Sequence, residues 1–69
     1  MQINKAVDKA YEKKSFKELA DAPVDALQGV SEGDAQKLKE AFNVKTIRDL
    51  ATLKYVRWAQ AITTLSELN

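Results

Sequence analysis

The chain has 69 residues, 45% of them hydrophobic and 30% charged, with a net charge of +1 and neither Cys nor His. That length predicts one domain over residues 1–69, near the lower size limit for a self-sufficient core, and the composition is that of a folded rather than a disordered chain. Without Cys or His there are no disulfides, no thiolate or imidazole metal ligands and no usual nucleophile–base pair, so no metal, no cofactor and no enzyme activity is expected.

From Gln2 to about Lys14, Ile3, Val7, Ala10 and Tyr11 recur at helical spacing, while Lys5, Lys9 and Lys13 form an i, i+4 ridge on the far side. This predicts an amphipathic first helix. Ser15 followed by Glu18 is a capping box, opening a short helix with Phe16, Leu19 and Ala20 that must stop before Pro23, whose ring disfavours helical backbone at Ala22. Pro23 suits the first turn of another short helix, PVDALQ, ending at Gly29.

Ser31 is placed to cap the next helix, with Asp34 three residues on as a shortened capping box. Ala35, Leu38 and Phe42 make its buried stripe, and Gln36, Lys37 and Glu40 its wet face. Asn43 suits a left-handed C-terminal cap, with Val44 folding back on the last turn. Thr46 with Asp49 opens TIRDLATL, burying Ile47, Leu50 and Ala51. Finally Tyr55, Trp58, Ala59, Ile62 and Leu65 align on one face of a closing helix from Lys54 to about Leu68, a register that predicts core packing for both aromatics. The expected fold is all-α, a compact bundle of five or six short helices around one core.

Leu27, Gly29, Val30 and Ala35 in the stretch LQGVSEGDA resemble the helix-hairpin-helix motif of SAM-like small domains, in which an apolar residue, a Gly and a second apolar residue lead into a helix with Ala at its first buried position. The continuation NVKTIRDLA is similar to the segment that follows the motif, so the resemblance covers residues 23 to 52. It implies that the hairpin, Gly29, Val30, Ser31, Glu32, Gly33 and Asp34, presents backbone N–H groups to a DNA phosphate, because helix N-termini attract anions. The chain departs from the pattern at Ser31, where the family has a second Gly, and at Glu32 and Asp34, where a basic residue is frequent. Those carboxylates repel a phosphate and satisfy the helix dipole themselves, as in acidic variants that bind proteins.

Charge is unevenly distributed. Residues 1–17 carry five Lys against two acids (+3), residues 18–43 two Lys against six acids (−4), and residues 44–69 four bases against two acids (+2). The hairpin therefore lies in the acidic middle. Lys54 and Arg57 fall in the first turn of the last helix, where cations oppose the dipole unless Asp49 or Glu40 compensates. Two functions of different class follow: a non-catalytic protein-interaction or assembly module, with an unknown protein partner, or a non-specific DNA or RNA binder using Lys5, Lys9, Lys13, Arg48, Lys54 and Arg57. Short apolar runs and an N-terminus, MQINKAVDK, without the uncharged core of a signal peptide lead us to expect a cytoplasmic chain with no membrane partner.

Overall fold

The computed structural model describes residues 3–68, with side chains from Lys5 onward. It is mostly helical and has no sheet among these residues, so the all-α expectation holds. After a single turn, α1 (Ile3–Ala6), come four helices rather than the expected five or six: α2 (Phe16–Ala20), α3 (Glu32–Phe42), α4 (Ile47–Thr52) and α5 (Lys54–Ser66). Two 3-10 turns, Lys9–Tyr11 and Val24–Ala26, replace helix where the sequence suggested more of it.

Local chemistry sets most helix boundaries. Complete capping boxes open three helices: Ser15 with Glu18 at α2, Ser31 with Asp34 at α3, and Thr46 with Asp49 at α4. In each, the hydroxyl accepts from a backbone N–H three residues on, and the carboxylate accepts the N–H of the capping residue. At the far end of α3, Asn43 takes the left-handed conformation, φ 57°, and Val44 N–H donates back to the Leu38 carbonyl at 3.3 Å.

These caps carry a pH dependence. The Ser15 N–H holds the Glu18 carboxyl below its ordinary value of 4.5, the Ser31 N–H lowers Asp34 from 3.8, and the N–H groups of Lys45 and Thr46 lower Asp49 from 3.8. Because the native values are depressed, this stabilisation is complete above the ordinary values and is lost as pH falls through the native ones. Thermal midpoints should therefore drop on going from about pH 6 to pH 3, and Asp49→Asn should flatten the drop. A midpoint that stays level over that range would contradict it.

The expected first helix is broken, and the reason is non-local. Gln2, where it was to begin, lies outside the described residues, as does the Ile3 side chain. Val7 leaves α1 to form a bridge with Leu27, fixed by Asp8 N–H to the Ala26 carbonyl at 2.7 Å and Gln28 N–H to the Ala6 carbonyl at 2.9 Å. Asp8 is extended as a result, so Lys5 and Lys9 stand on different elements and the basic ridge does not form. A second bridge joins Pro23 to Thr46, with Val24 N–H donating to the Lys45 carbonyl at 3.0 Å and Ile47 N–H to the Ala22 carbonyl at 3.1 Å. Residues 22–28 are thus a central strut. The turn expected as a helix after Pro23 is 3-10 because its carbonyls and N–H groups serve these bridges instead of a longer helix.

Around the strut lies the core: Val7, Leu19, Ala22, Val24, Ala26 and Val44 are buried, and Leu27, Leu38, Ile47, Leu50 and Leu53 are half-buried. α4 packs on α2 and on the 3-10 turn of the strut, and α3 packs on the same turn. Five expectations need correction. Phe16 (73%), Phe42 (50%) and Ala51 are exposed instead of buried, as is Ala10. Most of all, Tyr55, Trp58, Ala59, Ile62 and Leu65 are not in the core. α5 leaves α4 at Leu53, touches the rest of the chain near Val56, and then every residue from Arg57 to Leu68 is exposed. The radius of gyration, 13.3 Å, exceeds the ~11 Å of a compact chain this long, as a projecting helix requires.

Candidate functional site

Two surfaces deserve weight, the glycine turn before α3 and the outer face of α5. The turn is a type II turn over Leu27–Val30, closed by Val30 N–H to the Leu27 carbonyl at 3.1 Å. Gly29 occupies its third position at φ 95°, a backbone that only Gly adopts without strain. Most backbone donors that a phosphate would need are already engaged. Gln28 N–H goes to Ala6, Val30 N–H to Leu27, Ser31 N–H to the Asp34 carboxylate at 3.2 Å, and Asp34 N–H to the Ser31 hydroxyl at 3.0 Å. Glu32, Gly33 and Asp34 are exposed around them. The positive end of α3 is therefore occupied by its own carboxylate.

Beside the turn, Pro23, Asp25, Glu32, Gln36, Lys39 and Lys45 border a shallow groove of about 310 Å³. Its two acids face two lysines, so it selects strongly for neither sign of charge. A separate, apolar cleft of about 240 Å³ lies between Val7, Phe16, Leu19, Leu27 and Ile47. Among the described residues no group of three acidic side chains has metal-ligand geometry.

The six candidate basic residues are spread over several elements, with Arg48 on α4 and Lys54 and Arg57 on α5. Lys5 and Lys9 are separated by the break at Val7, and Lys13 follows the 3-10 turn. Arg48 is tied to Asp21 at the end of α2 by an ion pair of 2.9 Å. Both groups are more than half exposed, which makes the pair a positional link and a weak source of stability. The carboxylates expected to balance Lys54 and Arg57 are used elsewhere. Asp49 accepts from Lys45 and Thr46 N–H, and Glu40 accepts from the Gln36 amide at 3.0 Å. Lys54 instead lies over the rings of Tyr55 and Trp58, at 5.2 and 5.6 Å.

The face of α5 is what sequence reasoning misplaced. Phe42 at the end of α3 sits 6.1 Å from Tyr55, and Tyr55 meets Trp58 edge-on at 5.7 Å, so three aromatic rings form one chain with Lys54 above it. Along the same face run Ile62 (68% exposed) and Leu65 (62%). The signal was present as the apolar periodicity of the last fifteen residues, which states that a face must be covered without saying by what. No described helix is long and apolar enough to cross a membrane. Compared with models of protein families, with curated proteins and with solved structures, the chain matches none.

Proposed function

We propose that this chain is a non-catalytic protein-binding module, an acidic variant of the helix-hairpin-helix domain whose partner docks on α5. The observation that carries the reading is the uncovered apolar face of Tyr55, Trp58, Ile62 and Leu65, each more than half exposed. A helix of 13 residues is only marginally stable alone in water, and such a face is stable when another apolar surface covers it.

The runner-up is nucleic-acid binding, favoured by one observation: Tyr55 and Trp58 are exposed beside Lys54 and Arg57, a pairing suited to stacking on unpaired bases. Against it, the face continues into Ile62 and Leu65, which gain nothing from a polyanion. The turn before α3 adds Glu32 and Asp34 in place of free donors.

Titration of the isotopically labelled chain with duplex and single-stranded DNA separates the two. The unmodified chain should bind no tighter than about 10⁻⁴ M at physiological salt. Glu32→Lys with Asp34→Asn, which keeps an oxygen to cap Ser31, should strengthen binding in a salt-sensitive way. Micromolar, salt-sensitive binding by the unmodified chain, with the Gly29 and Ser31 amides or the Trp58 indole shifting, would overturn the protein-binding reading.

A further inference from the structure

We infer that the partner on α5 is a second copy of this chain, bound as an antiparallel helix pair about a two-fold axis. This rests on the protein-binding reading above and identifies its partner.

The spacing is the first argument. Tyr55, Trp58, Ile62 and Leu65 follow each other at intervals of three, four and three residues, two heptads with every a and d position filled by a large apolar side chain. When two such helices run antiparallel about an axis at Gln60, Trp58 of one meets Ile62 of the other, and Tyr55 meets Leu65. The four seam residues thus fall into complete layers, each joining an aromatic to an aliphatic side chain. Ala59 and Ala61, which flank the seam beside the axis, are small enough for the backbones to approach closely, and no acid or base crosses the axis at these positions. The pattern complements itself.

Charge gives the direction. α5 has no acid in its first turn and no base in its last, while Lys54 stands at its N-terminus, against the helix's own dipole. In an antiparallel pair each Lys54 lies beside the carbonyl end of the other copy's helix, where a cation is favoured. A parallel pair would set two Lys54 ammonium groups and two positive helix ends together.

Area gives the scale. Phe42, Tyr55, Trp58, Ile62, Leu65 and Leu68, from 50% to 76% exposed, leave roughly 700 Å² in solvent, at or above the largest apolar patch of an ordinary monomer. Two copies then supply up to about 1,400 Å², inside the range of standard specific interfaces. Phe42 extends the seam past the end of the helix, level with Leu65 and Leu68 of the second copy.

Sedimentation equilibrium over a range of concentrations is the test. The unmodified chain should dimerise with a dissociation constant of about 10⁻⁵ M. Trp58→Glu should weaken this at least about 100-fold, because the residue enters the interface twice, while the Val24 and Val44 methyl signals keep their native dispersion. Gln60→Glu, on the outer face, should leave dimerisation unchanged. Lys54→Glu should weaken the dimer about tenfold even though a carboxylate suits the N-terminus of its own helix. Since the chain has no Cys, single cysteines report direction: Tyr55→Cys and Leu65→Cys chains, mixed, should form a disulfide with each other, and Leu65→Cys should form none with itself. A chain monomeric to about 1 mM would overturn the second copy alone, because the protein-binding reading stands or falls on the DNA titration. A dimer indifferent to Trp58→Glu, or one in which Leu65→Cys is trapped with itself and not with Tyr55→Cys, would overturn the antiparallel seam.

Discussion

Leu19→Ala should lower stability by about 2 to 5 kcal/mol, whereas Trp58→Ala, the larger truncation, should cost about 1 kcal/mol or less when measured at ~1 µM chain, below any self-association. Leu19 is 6% exposed and lies beside Val7 and Ile47 at the strut, so its loss leaves a void that α2 and α4 cannot close without moving. Trp58 is 58% exposed, and its described ring contacts are Tyr55 and Lys54. A chain of this length holds about 3 to 10 kcal/mol in all, so the first substitution should bring the midpoint of a urea or thermal melt close to ambient conditions while the second barely moves it. Equal losses would mean that α5 folds onto the core after all.

That contrast marks where sequence reasoning succeeded and where it failed. Ser15–Glu18, Ser31–Asp34 and Thr46–Asp49 were legible because a capping box involves groups three residues apart and needs no knowledge of the rest of the chain. Asn43 was legible for the same reason. The break at Val7 was not, because it depends on Ala26 and Gln28, some twenty residues on, competing for backbone groups that a local pattern assigns to a helix. The α5 seam was half legible. Its periodicity fixed which residues share a face, but whether that face meets its own core depends on the direction in which the chain leaves Leu53, which no spacing records. For the candidate site, the acidic character of the turn was plain from Glu32 and Asp34, and the capping box already engaged the Ser31 and Asp34 N–H groups, while the engagement of the Gln28 N–H emerges only from its pairing with Ala6.

Val44→Asp should abolish the fold at neutral pH and restore part of it in acid. Val44 is 1% exposed, and among the described residues no polar side chain is buried to donate a hydrogen bond to a carboxylate there. Ionised, the new group would cost more than the chain's whole stability, so it should be unfolded at pH 7. Burial raises its pKa, which places its penalty above that value and relieves it as pH falls. The capping carboxylates respond with the opposite sign, losing their contribution as they are protonated. Helical circular dichroism should therefore rise from pH 7 toward about pH 5 in the variant, over a range in which the unmodified chain stays level. A variant that melts like the parent at pH 7 would place Val44 outside the core.

The strut of residues 22–28 also determines how the chain reaches its structure. Held on one side by Ala6 and Asp8 and on the other by Lys45 and Ile47, it divides a chain of local helical contacts into two loops of about twenty residues each. Loops of that size close quickly, and their entropy cost grows only with the logarithm of their length. Neither closure has to wait for the other, since they use different ends of the strut. The topology therefore favours rapid collapse, which shortens the interval in which a small apolar core and the open seam of α5 are in solvent together and prone to aggregate.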